Sequence, residues 1–97
     1  MLITVGASEA IAATVLGLVE PGSEVILIEP YFDTYAPVIA MAGAHRVPVP
    51  LVSDGRGFAL DVDAVRAAVT SRTRAIIVNS PHNPTGTVFS DDECRAL

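Results

Sequence analysis

Hydrophobic positions along the chain alternate between strand-like and helix-like spacing. Leu2 to Val5 reads as the end of a strand, with Gly6-Ala7 as the tight turn after it. From Ser8 to about Val19, Ile11, Val15, Leu18 and Val19 fall at i, i+4, i+7 and i+8, one face of a helix. Glu9 suits the positive end of that helix, and Pro21-Gly22 ends it. Val25-Ile26-Leu27-Ile28 is instead an unbroken β-branched and leucine run, the pattern of a strand covered on both faces in a parallel sheet. Residues 33–43, DTYAPVIAMAG, predict a second helix: Asp33 caps it, Pro37 lies early enough to be tolerated, and Gly43 supplies a left-handed stop. Arg46 to Leu51 alternates, but Pro48 and Pro50 restrict it to a short or edge strand. VSDGRGF, residues 52–58, reads as a loop. Asp61 then caps a third helix with Val62, Val65 and Val69 on one side, and Arg74 to Val78 is another buried strand. Ser90 and Glu93 have the spacing of a capping box.

Strands alternating with helices in this order predict βαβ crossovers and a mostly parallel sheet with helices on its faces. The last helix stops at Leu97 after about two turns, marginal in isolation. A helix so clearly signalled and so soon ended predicts that residues 1–97 are one incomplete domain of a longer protein.

Composition narrows the function. Hydrophobic residues make up 51% of the chain, enough to build a core. The net charge of −5 and the lack of a basic cluster argue against nucleic acid or an anionic membrane as partner. No apolar run approaches the roughly 20 residues of a membrane span, and the start lacks the pattern of a secretory signal. Cys94 is the single cysteine, so a disulfide framework is excluded and a reducing cytoplasm is the expected setting. Cys94, His45 and His82 are too scattered for a metal site. All six basic side chains are arginines; the chain has no lysine.

In parallel sheets, ligands gather beyond the carboxyl ends of the strands. Three turns fall there. In TVGASEA, the backbone N–H groups at Gly6, Ala7 and Ser8 could form an anion site at a helix start, or Ser8 could simply cap an ordinary turn. In IEPYFDTY, Tyr31 or Phe32 could stack on a planar heterocycle, or both rings could pack in the core. In NSPHNPTG, Pro81 and Pro84 stiffen the backbone around Asn83, and Gly86 permits an unusual angle. The carboxamide of Asn83 could then serve a ligand, or bond its own backbone in a structural turn.

NSPHNPTG resembles the N-P-x-N-P-T-G signature of class I/II aminotransferases, the fold-type-I enzymes that use pyridoxal 5′-phosphate. TVGASEAI, LVEPGSEVILIEPYFDTY and AGAHRVPVPL resemble the segments that precede it in that family, in the same order, so the likeness covers essentially the whole chain. The subgroup it resembles most is the kynurenine/methionine-type branch. The resemblance implies part of a three-layer sandwich, the large cofactor-binding domain. It implies that the Ala7 and Ser8 amides hold the cofactor phosphate, that Phe32 stacks on the pyridine ring, and that Asn83 bonds the phenolic oxygen. It further implies amino-acid and 2-oxo-acid substrates and a homodimeric parent. The family's cofactor-linking lysine, the acidic partner of the pyridine nitrogen and the substrate-binding arginine match no residue here, so no catalytic residue is assigned and the chain alone is expected to be inactive. Two rivals stand beside a transaminase: a carbon–sulfur β-lyase of the same fold, and a non-catalytic α/β module.

Overall fold

A computed structural model describes residues 1, 3–53, 55 and 57–97. Helix α1 (Gly6–Leu18) leads into strand β1 (Glu24–Glu29), helix α2 (Tyr35–Met41) and strand β2 (His45–Pro50). A short hairpin of β3 (Val52–Ser53) and β4 (Phe58–Ala59) precedes helix α3 (Val62–Ala68), strand β5 (Thr73–Ile77) and helix α4 (Asp91–Ala96).

The main sheet has the order β2-β1-β5, and β1 is parallel to both neighbours. Ile26 lies opposite Val47 in β2 and Ile76 in β5, so the register sets apolar residues side by side. Val25, Ile26 and Leu27 are wholly buried and Ile28 is 2% exposed. Side chains alternate along a strand, so this run feeds two cores. Val25 and Leu27 meet Val15 of α1, Val19 just past its end, and Tyr35, Val38 and Ile39 of α2. Ile26 and Ile28 meet Val49, Leu51, Leu60, Val65 of α3 and Phe89. The result is helix, sheet and helix in three layers, with β1 shared by both cores. Burying each such aliphatic side chain contributes about 1.5–3 kcal/mol.

Caps and clasps fix the ends. Asp61 Oδ1 accepts the Ala64 N–H at 2.9 Å, as its position predicts. Ser90 and Glu93 form the full capping box of α4. Gly43 adopts φ +71°, the left-handed stop after α2. At the amino end of the sheet, buried Glu24 accepts from Thr70 Oγ1 at 2.6 Å and from Arg72 Nε at 2.9 Å, with Arg72 Nη2 also on the carboxylate. Those donors, Thr70 first, hold the Glu24 carboxyl below its ordinary range.

Several expectations are corrected. Ile3 and Thr4 are irregular and Val5 is a bend rather than the end of a strand, while Leu2 lies outside the described residues. With Ile3 and Val5 exposed, their β-branched chains have no sheet face to fill. Helix α1 starts earlier than predicted, at Gly6, so Ser8 lies inside it and is not its cap. Asp33 does not cap α2 either: Thr34 holds the N-cap position, without a side-chain bond. The stretch read wholly as a loop carries the β3–β4 pairing of Val52 with Ala59 and Ser53 with Phe58; Asp54 and Arg56 within it lie outside the described residues. No helix among the described residues is long and apolar enough to cross a membrane.

Candidate functional site

The parallel sheet gives β1 and β5 a common carboxyl edge. Tyr31 and Phe32 follow β1, and the turn holding Asn83 follows β5. Helix α1 reaches the start of β1 through a short turn, and its Ile11, Ala12 and Val15, with Val19 just past its end, pack over one sheet face. It must therefore run back along the sheet, which brings its amino end, with Ala7 and Ser8, toward that same edge.

Ala7 and Ser8 are exposed in the first turn of α1. A helix offers no carbonyl to its first N–H groups, so these amides point their hydrogens outward for an external acceptor. The Glu9 carboxylate folds back onto the Val5 N–H, and the Gly6 N–H bonds the Thr4 carbonyl at 2.9 Å. The helix start is thus ordered by its neighbours while the Ala7 and Ser8 amides stay available.

Phe32 is half-buried, and its ring meets Tyr35 edge-on with centroids 5.8 Å apart at 81°. Tyr35 is 6% exposed, and burial pushes its phenol above the ordinary value, so it stays neutral beneath Phe32. Tyr31 lies 6.5 Å from Tyr35, and its hydroxyl accepts from Arg46 Nη1 at 3.3 Å. The core-packing reading of this pair holds in part. The rings pack on the α1/α2 core, yet neither is fully covered.

Asn83 is exposed, and among the described residues its carboxamide has no partner within the chain. Asn79 instead supplies the local amide bond, Nδ2 to the Pro81 carbonyl at 3.2 Å. The turn is closed by two backbone bonds of 2.7 Å, from the His82 N–H to the Thr87 carbonyl and from the Gly86 N–H to the His82 carbonyl. Gly86 sits at φ +75°, an angle costly for other residues. The sequence offered His82 only as a dismissed metal ligand and a neighbour of Asn83, yet it is 3% exposed and anchors the turn.

The order of the elements sets toward one end of the sheet first-turn amides suited to a phosphate, a half-covered aromatic face and, on a stiff turn, a carboxamide with no partner among the described residues. Such a donor set fits a phosphorylated planar heterocycle such as pyridoxal phosphate. The apolar cleft of about 280 Å³ between α1 and β5, lined by Ile11, Val15, Leu18, Ala75 and Ile77, includes none of Ala7, Phe32 and Asn83. Arg72 is engaged with Glu24, and Arg74 is exposed beside that cleft.

Comparison with known proteins bears on this geometry. The family Aminotransferase class I and II matches residues 1–97. A curated relative from Mycobacterium tuberculosis is 74% identical over 97 residues, covering 100% of this chain and 24% of that protein. The solved N-succinyldiaminopimelate aminotransferase from Mycobacterium tuberculosis superposes with a TM-score of 0.96 at 76% identity, over 98% of this chain and 25% of that one. The aspartate/prephenate aminotransferase of Thermus thermophilus is 38% identical over 96 residues, 99% of this chain and 25% of that protein. The chain therefore spans about a quarter of the length of the relatives it matches. A match along its whole length, on an α/β frame shared with these enzymes, makes the chain a member of the class I and II aminotransferases.

Proposed function

We propose that these residues are part of the cofactor-binding domain of a longer transaminase, which moves an amino group between an amino acid and a 2-oxo acid. The observation that carries this reading is the family match over residues 1–97, supported by the two turns that follow the parallel strands β1 and β5. In this reading, the Ala7 and Ser8 amides bind the phosphate of pyridoxal 5′-phosphate, Phe32 covers one face of its ring, and the Asn83 amide donates to its phenolic oxygen. Bound there, the cofactor supplies an electron sink for chemistry at the amino-bearing carbon. The chain's own residues bind and orient: amides neutralise the phosphate, the ring excludes water from one face, and Asn83 favours the ionised phenolic oxygen. The covalent link to the cofactor would come from a lysine outside these residues, since none is present.

The identity of 74% to the Mycobacterium tuberculosis relative, and the likeness to the solved structure, favour N-succinyldiaminopimelate chemistry as the specific reaction. A homodimer and a cytoplasmic setting belong to the same proposal. The relatives bear the names of aminotransferases, which favours transamination over a β-lyase or a non-catalytic module.

The test is Asn83→Ala in the longer protein. Losing one hydrogen bond to a charged oxygen is worth about 1.5–3 kcal/mol, so cofactor affinity should fall by roughly 10- to 100-fold. An unchanged dissociation constant for pyridoxal phosphate would remove Asn83 from the site. Assays with N-succinyldiaminopimelate and a 2-oxo acid, scored for the new amino acid against ammonia and pyruvate, separate transaminase from lyase.

A further inference from the structure

The turn after β5 contains a buried titratable side chain that the proposed cofactor contacts do not use. His82 is 3% exposed, although Pro81 and Asn83 on either side of it are exposed. Its Nδ1 lies 2.8 Å from Thr85 Oγ1. That hydroxyl is in turn 2.9 Å from Thr87 Oγ1 and accepts the Thr87 N–H at 3.3 Å. The imidazole also rests on Phe89, with centroids 5.6 Å apart at 44°.

Three anchors on one residue thus close the loop. The main chain of His82 bonds both Thr87 and Gly86, while its side chain reaches Thr85 just before them. The hydroxyl pair suits either imidazole tautomer. If Nδ1 carries the proton, it donates to Thr85 Oγ1, which donates onward to Thr87 Oγ1. If Nδ1 is bare, both hydroxyls turn round, and Thr87 donates to Thr85, which donates to Nδ1. The Nδ1–Thr85–Thr87 contacts are kept in both arrangements, so the clamp holds irrespective of the tautomer. Asn83 lies inside the closed loop, and among the described residues nothing engages its carboxamide.

We infer that His82 is a positioning residue: through Thr85 it fixes the backbone from which Asn83 presents its amide to the cofactor. This rests on the Asn83 reading above, and the experiment separates the two. His82→Leu removes the polar clamp and keeps apolar bulk against Phe89. Thr85→Val removes only the hydroxyl and serves where His82→Leu fails to fold. His82→Asn returns a nitrogen near the Nδ1 position. In the longer protein, amide hydrogen exchange at Gly86 reports closure of the loop. In the longer protein with pyridoxal phosphate, the pH midpoint of the cofactor's visible absorption band reports on the donor at its phenolic oxygen.

His82→Leu and Thr85→Val should each speed Gly86 exchange by about ten-fold or more. Each should also move the midpoint upward by up to about one pH unit, in the same direction as Asn83→Ala. His82→Asn should restore both readouts. If Asn83→Ala moves the midpoint while His82→Leu and Thr85→Val do not, the positioning role is overturned and the Asn83 contact stands. If Asn83→Ala itself leaves the midpoint in place, the cofactor contact is what fails; unaltered Gly86 exchange in the variants would then also refute the clamp.

Discussion

Replacing Glu93 by alanine should destabilise the chain well beyond what a substitution on a short surface helix normally does. The carboxylate serves two elements at once. Its Oε2 accepts from the Ser90 N–H and hydroxyl, each at 2.7 Å, and its Oε1 accepts from the Leu60 N–H at 3.0 Å. Those donors, with the Ser90 backbone first, hold its carboxyl below the ordinary glutamate range. Losing half of the capping box costs about 1 kcal/mol. Leu60 is 7% exposed, so its stranded N–H adds about 1–3 kcal/mol. Glu93 is partly exposed and water offsets some of this, leaving about 2 kcal/mol. Glu93→Gln retains a neutral acceptor for Leu60 and should lose about half as much. Urea unfolding followed by circular dichroism measures the difference; with an m-value of about 1–2 kcal/mol/M, the midpoint for Glu93→Ala falls by about 1–2 M. A loss below about 0.5 kcal/mol, the range of ordinary surface changes, would refute the bridging role. So would a glutamine variant as damaged as the alanine one.

Two further predictions concern the frame that carries the site. Gly43→Ala places a side chain at φ +71°, worth about 1–2 kcal/mol, and sets its Cβ 3.2 Å from the Pro21 Cβ. Gly22→Ala, at φ +81° with open space around it, suffers the angle alone, so in the same urea assay Gly43→Ala should be the worse of the two. Glu24 has a folded-state pKa below its unfolded one, so its contribution is fully present above the unfolded value of about 4.3 and is lost as pH falls through the folded value. Glu24→Gln should therefore flatten the acid limb of a stability–pH profile; an identical slope in the two proteins would contradict that linkage.

The parts of the fold that announced themselves in the sequence are those governed by burial. Val25 to Ile28 could only be a strand covered on both sides, and the structure buries every one of them. The caps at Asp61 and Ser90 were legible because a side-chain acceptor followed by a helix leaves few alternatives. Ile3 to Val5 misled because β-branched residues favour strands only where a sheet receives them, and here Ile3 and Val5 are 84% and 89% exposed. The two-residue pairing of β3 with β4 is too short to leave a period in the sequence. At the site, prolines and glycine marked the turn and motif likeness singled out Asn83. The inward imidazole of His82 depended on Thr85, Thr87 and Phe89 converging in space, which no linear spacing encodes.

The Glu24–Thr70–Arg72 clasp has one more consequence. It fastens the sheet at the rim opposite the turns that carry Ala7, Phe32 and Asn83. On the proposed reading, scaffold and cofactor recognition are thereby quartered at separate poles of the strands, and the loops at the far pole can be rewritten without unbuttoning this one.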